Sequence, residues 1–214
     1  MKITNYIIIL LLLVSPKLFS QKKDSIASNK TLEEIILESR VKLFNENTKK
    51  AKEGDSKAQF ELGQMYNYGI GVEKNLTKAF EYYKLSAQQE NIEGTFALAL
   101  SYHNGLGTKI DKKKAIQLYN ECSNKGHIPS KFNLANMYFY GESTEVNLEK
   151  ALKLYLQCAE KEDVSSQAIV GMMYYNGFGT KKDIKKAKKW LRISQKNGNK
   201  IAEKLLNEIE NSEE

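Results

Sequence analysis

Four copies of one pattern, each thirty-six residues after the last, fix what this chain can fold into. The first reads Leu62-Gly63-Gln64-Met65-Tyr66-Asn67-Tyr68-Gly69-Ile70-Gly71-Val72, and its echoes begin at Leu98, Leu134 and Val170. The tyrosines fall at Tyr66, Tyr102, Tyr138 and Tyr174, a step of 36 with no slippage. A fixed period of this size marks stacked supersecondary units, none of which can bury its apolar face alone.

Within each period the apolar residues recur at intervals of three and four, the spacing of a helix with one buried face. Asp55 is placed to cap a first helix reaching about Tyr68, and Asn91, His127, Asp163 and Asn199 hold the equivalent position. Gly69-Ile70-Gly71 ends that helix, since glycine takes the left-handed conformation of a helix C′ position without steric cost. A second helix follows from about Asn75 to Gln89, with Ala79, Tyr82, Tyr83 and Ala87 on its apolar side. Two columns are small: Gly63, Ala99, Ala135 and Gly171 on the first helices, and Ala79, Ala115, Ala151 and Ala187 on the second. Small residues on facing surfaces let two helices approach to the near end of the usual ~8–10 Å spacing. Phe60, Phe96 and Phe132, with Leu62 and Tyr66 and their copies, are expected to fill the space between layers. The third copy departs at its turn, where Gly141-Glu142-Ser143 lacks the second glycine.

The expected fold is all-α: a solenoid of four helix-turn-helix repeats over 51–198, divided at about 51–86, 87–122, 123–158 and 159–198. Residues 31–50 are expected to form an N-terminal capping helix, opened by Thr31 with Glu34 three residues on and covering the first repeat with Leu32, Ile35, Ile36, Val41, Leu43 and Phe44. Residues 199–214 are expected to be a C-terminal capping helix and acidic tail.

Residues 1–20 stand apart. Lys2, an apolar run from Tyr6 to Val14, the break at Ser15-Pro16 and the small Ser20 read as a secretory signal peptide cut before Gln21. An uncleaved membrane anchor is the alternative, but a spanning helix needs roughly 20 apolar residues and this run is about half that. Residues 21–30 are polar and read as a flexible lead-in. The expectation is an exported bacterial protein, periplasmic or secreted, with no stable membrane insertion after cleavage.

The chain carries 33 basic and 26 acidic residues, a net +7. Lys2 and Lys17 leave with the leader, so 31 bases face 26 acids and the mature chain carries +5. Basic residues gather at Lys109–Lys114 and Lys181–Lys200, which opens a polyanion reading beside the plainer one of solvated helix faces. Export argues against nucleic acid as the partner.

The spacing Ala51…Gly54…Ala58…Leu62-Gly63…Tyr66…Gly69-x-Gly71-Val72, followed by Ala79, Tyr82-Tyr83 and Ala87, resembles the Sel1-like repeat family. The resemblance runs over about Ala51 to Lys200 in four in-phase copies. It implies a right-handed α/α superhelix related to tetratricopeptide proteins and a role as adaptor or scaffold in protein complexes, in bacteria often exported or envelope-associated. Some Helicobacter members carry a regular cysteine pair in each repeat, which this chain lacks. Cys122 and Cys158 instead occupy one column in adjacent repeats, flanked by Ser86 and Ser194. At roughly 10 Å apart they lie beyond the ~7 Å Cα limit for a disulfide and read as small core residues, with the disulfide that an exported pair of cysteines invites as the alternative.

Little in the sequence points to catalysis. His103 and His127 have no His, Cys or acidic neighbour at metal-ligand spacing. Those Helicobacter relatives have also been connected with penicillin binding and β-lactamase activity, and Ser39-Arg40-Val41-Lys42 fits Ser-x-x-Lys. The partner motifs are missing: no Ser-Asp-Asn occurs, and the Gly-Thr-Lys runs at 107 and 179 are reversed and sit in repeat turns. No enzyme, metal site or cofactor is expected.

At 100° per residue, positions 57, 61, 64 and 68 of the first helix and their copies fall on an arc opposite much of the core. Core columns repeat, but this one varies: Lys57, Glu61, Gln64 and Tyr68; Ala97, Leu100 and Asn104; Asn133, Asn136 and Tyr140; Ile169, Met172 and Asn176, with Glu93, Pro129 and Ser165 completing the set. By analogy with tetratricopeptide stacks this stripe is the expected binding surface for a protein or peptide, with Leu100, Tyr140, Ile169 and Met172 as apolar anchors. Variation where packing imposes no constraint is the alternative. The expected function is thus a non-catalytic exported scaffold for a protein or peptide of the envelope. A binder of an anionic envelope polymer through Lys181–Lys200 is the second reading, and a β-lactamase-like hydrolase the third.

Overall fold

A computed structural model describes residues 30–211, and among them there are ten α-helices and no strand. They are α1 Leu32–Lys52, α2 Ser56–Tyr68, α3 Leu76–Gln88, α4 Ile92–Asn104, α5 Lys112–Asn124, α6 Ile128–Tyr140, α7 Leu148–Ala159, α8 Val164–Asn176, α9 Ile184–Lys196 and α10 Lys200–Asn211. The leader, most of the lead-in and the last residues of the acidic tail lie outside the described residues.

Each repeat is closed by one set of bonds. The side chains of Asp55, Asn91, His127 and Asp163 accept from backbone N–H groups three residues on, at Ala58, Gly94, Ser130 and Ser166, and so cap the first helices. Those helices end at Gly69, Gly105, Gly141 and Gly177, all left-handed, with φ of 71°, 71°, 69° and 74°. The next residue's N–H (Ile70, Leu106, Glu142, Phe178) returns to the carbonyl of Met65, Ser101, Met137 or Met173, the bond that closes a Schellman turn. Asn75, Asp111, Asn147 and Asp183 then cap the second helices, each donating its own N–H to the carbonyl of Tyr66, Tyr102, Tyr138 or Tyr174 at 2.8 Å.

The small columns meet as the spacing implies. A Cβ on Gly63 would stand 3.2 Å from the Ala79 carbonyl oxygen and 2.6 Å from the Tyr83 ring. A Cβ on Gly171 would stand 3.2 Å from the Ala187 oxygen and 2.7 Å from Leu191. Between the paired helices lie Leu62, Met65, Leu134, Met137, Val170 and Met173, with Tyr83, Tyr119, Tyr155 and Leu191 from the second helices, all buried. Burying a side chain of this size is worth roughly 1.5–3 kcal/mol, but one repeat alone would leave much of it wet.

The third turn keeps its path without the second glycine. Ser143 takes φ +55°, close to the 70° and 73° of Gly71 and Gly107. A Cβ at Gly107 would come within 2.0 Å of the Leu76 carbonyl oxygen, and one at Gly179 within 2.2 Å of that of Leu148. Ser143, in contrast, is exposed.

Residues 30–40 hold the start of α1. The Thr31 N–H donates to Glu34 at 2.8 Å and the Glu34 N–H to the Thr31 hydroxyl at 3.3 Å, the reciprocal capping box. Leu32, Ile35, Ile36 and Leu37 are exposed. Further along α1, Val41 and Leu43 are also exposed, while Asn47 and Ala51 are buried. The repeat period accounts for this division. Phe44 meets Tyr66 edge-to-face at 5.5 Å, and thirty-six residues later Phe80 meets Tyr102 the same way at 5.3 Å. The end of α1 therefore occupies the register of a second helix, with no first helix before it among the described residues. Phe44 and Ala51 face the first repeat, whereas Leu43, in the register of Ala79, meets no counterpart of Gly63 among the described residues.

Candidate partner-binding face

The first helices α2, α4, α6 and α8 carry the arc expected to bind a partner, and the structure divides it. Lys57, Tyr68, Asn104, Tyr140 and Asn176 are exposed, while Glu61, Gln64, Ala97, Leu100, Asn133, Asn136, Ile169 and Met172 are half-buried. Three of the four expected anchors do structural work. Leu100 packs against the buried cluster of Ala99, Tyr119 and Leu134. Ile169 and Met172 pack against Tyr155, Val170 and Met173. A projection of one helix misses this, because the neighbouring repeat also covers part of the arc.

What stands free is the column at the helix ends: Tyr68, Asn104, Tyr140 and Asn176. Tyr140 is 67 % exposed, its ring edge resting on Phe139 at 5.0 Å, and Tyr68 is 46 % exposed. The asparagine amides donate back to the carbonyls of Leu100 and Met172 at 3.0 Å. Beneath this column lie the buried tyrosines of the second helices. The Tyr155 hydroxyl donates to Asn136, and burial, with Tyr140 nearby, pushes the Tyr155 phenol well above its ordinary value. Tyr83 is raised in the same way by burial and by Tyr68.

Both histidines pair with a carboxylate across the boundary between the second and third repeats. His103 places Nδ1 3.3 Å from the Tyr119 hydroxyl and Nε2 3.1 Å from Glu142, which also accepts from Lys112 at 2.7 Å. Lys112 first, and then His103, hold the Glu142 carboxyl below its ordinary value. At the other end of the helices His127 Nε2 lies 3.5 Å from Glu93, and this contact lowers the Glu93 carboxyl. The His127 Nδ1 accepts from the Ser130 N–H as helix cap, which puts the ring proton on Nε2, toward Glu93. Spacing within one repeat does not find these partners. Subtracting the period does, since Glu142 then falls at 106, one turn from His103. Among the described residues no three metal-binding side chains converge.

The basic residues are partly committed to the fold. Lys78, Lys114, Lys150 and Lys186 lie over the rings of Tyr66, Tyr102, Tyr138 and Tyr174 at 5.1–5.2 Å, one cation–π pair per repeat. Lys182 lies over Tyr175, and Arg192 pairs with Glu210 at 2.7 Å. Lys185 and Lys189 remain exposed beside an open depression lined also by Asp183, Lys186 and Arg192.

Ser39 and Lys42 sit on the exposed part of α1. The Ser39 hydroxyl donates to the Ile35 carbonyl at 2.8 Å, and Lys42 reaches Glu46 at 3.9 Å, in each case a neighbour one turn away. Cys122 and Cys158 are free and buried. Each thiol points at the carbonyl opening its repeat's first helix, Ile92 at 3.6 Å and Ile128 at 3.7 Å, as Ser86 and Ser194 do toward Ser56 and Val164.

The model of the Sel1 repeat matches residues 56–91, 92–127, 128–163 and 164–199, with the expected period and a start five residues later than 51, 87, 123 and 159. The chain is similar in structure to c5321, a protective antigen present in uropathogenic Escherichia coli strains that displays an SLR fold. The identity is 30 % over 74 % of this chain and 34 % of that one, with a TM-score of 0.72. It is likewise similar to a Sel1 repeat protein from Oxalobacter formigenes, 28 % identical over 79 % of this chain and 49 % of that one, with a TM-score of 0.72. Over 58 residues it is 45 % identical to a sel1-like repeat-containing protein of Acanthamoeba polyphaga mimivirus. The chain spans about a third and about half the length of the two structures and about a tenth of the viral protein.

Proposed function

The chain belongs to the Sel1 repeat family, and from that premise we propose that it is an exported scaffold holding a protein or peptide along the face of α2, α4, α6 and α8. The observation that carries this reading is the exposed column of Tyr68, Asn104, Tyr140 and Asn176. Elsewhere the four repeats hold like residues in like places because packing demands it. Here tyrosine and asparagine alternate in solvent, the residue types that recognition loops favour for rigid contact area and adaptable hydrogen bonds. The apolar leader supports export, and no described helix is long and apolar enough to cross a membrane.

Crosslinking and recovery of the protein from the envelope fraction of its own cells tests both parts. One or two proteins should be recovered repeatedly, and Tyr68→Ser with Tyr140→Ser should abolish their capture while leaving helix content intact. Undiminished capture by that variant rejects the face. An amino terminus at Gln21 in the recovered protein supports export, and an intact leader on cytoplasmic protein refutes it.

A second reading, an anionic polymer held by α9, draws on the exposed Lys185, Lys189 and Lys196, which share a stripe with Arg192. It predicts polysaccharide in the recovered material, released steeply as salt rises.

A further inference from the structure

The four turns that join a first helix to its second lie at one edge of the repeats, and this edge differs in charge from the other. With the opening of each second helix they span residues 69–78, 105–114, 141–150 and 177–186, and hold eleven lysines against six acids, a net +5. Stretches of equal length at the opposite edge, 85–94, 121–130, 157–166 and 193–202, hold four lysines against six acids, a net −2. Lys78, Lys114, Lys150 and Lys186 form an exposed row, one per repeat. Lys109, Lys113 and Lys181 are exposed beside it.

The basic edge is also where the repeats expose apolar side chains. Between residues 69 and 199 the large exposed ones are Leu85, Leu106, Ile110, Tyr140, Val146 and Phe178. All but Leu85 lie in these turns or, for Tyr140, directly before one. Ile110 is 63 % exposed and Val146 60 %. Both are held in place: a Cβ on Gly105 would stand 2.9 Å from Ile110 Cγ1, and one on Gly141 2.8 Å from Val146 Cγ2, so each side chain rests on the glycine that ends its first helix. The matching residues of the outer turns are Lys74 and Lys182, and the column reads Lys-Ile-Val-Lys along the edge.

Charge and apolar tips together select the occupant. An anionic polymer would meet the lysines but offer no apolar neighbour to Ile110, Val146 and Phe178. The boundary of an anionic bilayer offers both, negative headgroups outside and acyl chains just beneath them. Lysine stems can lie along such a boundary with their ammonium groups at headgroup level while shorter apolar side chains sit deeper. The second and fourth turns carry +3 each. The third is the exception in charge: Glu142 is met by Lys112, but Glu145 and Glu149 are exposed near Val146. We propose that this edge adsorbs on an anionic membrane surface, with Ile110 and Val146 entering the headgroup boundary and the second and fourth turns supplying the charge.

Flotation of the protein purified from producing cells with lipid vesicles tests this. It should float with phosphatidylcholine vesicles containing roughly one-third phosphatidylglycerol and stay behind with phosphatidylcholine alone. Ile110→Ser with Val146→Ser should weaken binding by about tenfold, and Lys109→Glu with Lys181→Glu by more, both at unchanged helix content. Lys161→Glu with Lys200→Glu makes the same change of charge at exposed positions of the opposite edge and should alter binding by less than about twofold. Binding that survives the apolar pair, or falls equally for either pair of charge reversals, overturns the proposal. So does binding to neutral vesicles that ignores every substitution, the behaviour of an uncleaved apolar leader. Absence of flotation on the anionic vesicles overturns it as well, and capture of an acidic protein through Lys109 and Lys181 in its place would give the edge to a protein.

Discussion

His103 and Glu142 lie 3.1 Å apart although thirty-nine residues separate them, and Lys112 meets the same carboxylate at 2.7 Å. In the other repeats the Glu142 position is Ile70, Leu106 or Phe178. One polar junction is therefore set into an otherwise apolar series, between the second and third repeats.

This junction should show in the pH dependence of stability. Lys112 and His103 hold the Glu142 carboxyl below its ordinary value of 4.5. A depressed carboxyl adds stability that is complete above the unfolded-state value and lost as pH falls through the folded one. Urea unfolding of wild type and Glu142→Gln should differ by up to about 1 kcal/mol at pH 7. The two should converge as pH drops below 4.5. A gap of constant size down to pH 3 would show that the carboxylate's charge contributes nothing.

The turn glycines are not equivalent. Gly107→Ser should cost roughly 2 kcal/mol or more, because its Cβ would meet the Leu76 carbonyl oxygen at 2.0 Å and φ is +73°. Ser143→Gly should be neutral or stabilise by up to about 1 kcal/mol, since left-handed strain is relieved while the unfolded chain gains freedom. Shifts in the urea midpoint of the two single variants measure the contrast.

Replacing both cysteines with serine should change stability by less than about 1 kcal/mol, because Ser86 and Ser194 already make the same bond to the first-helix carbonyl. Burial pushes the Cys158 thiol up to about 11. Labelling of the native protein by a thiol reagent at neutral pH should be slow and should accelerate on unfolding. Rapid labelling of the folded chain would contradict the buried column.

Tyr68→Ser and Tyr140→Ser should each alter stability by no more than about 0.5 kcal/mol, as expected of exposed side chains. Leu100→Ser and Met172→Ser should cost roughly 1–3 kcal/mol, since both pack on buried clusters. Thermal unfolding of the four single variants separates the surface from its support.

Period and caps made most of the stack legible in the sequence. Asp55, Asn75 and Gly69 and their copies end helices for local reasons, and locality is what a sequence displays. The facing of Gly63 and Ala79 was legible too, because two small columns in one period have to meet. The candidate face was legible only as an arc. Leu100, Ile169 and Met172 are half-buried by packing that involves a neighbouring repeat, which one helix's angles do not contain. The link from His103 to Glu142 and the Lys–Tyr column emerge only when residues are compared across the period. The apolar spacing of residues 31–50 implies a cover, but a helix in second-helix register has two faces, and among the described residues it is that of Phe44 and Ala51 that meets the stack.

Uniform junctions have a cost during folding. Units of equal length with the same closing bonds can pair in the wrong order, each slip of thirty-six residues giving a plausible neighbour, and domain-swapped or misaligned stacks are the usual failure of such chains. Glu142 is met by His103 and Lys112 between the second and third repeats, and Leu43 and Asn207 stand in columns where the four repeats hold Gly or Ala. These few irregular residues number the repeats, so that the correct order is the one in which the half-buried carboxylate finds its cation.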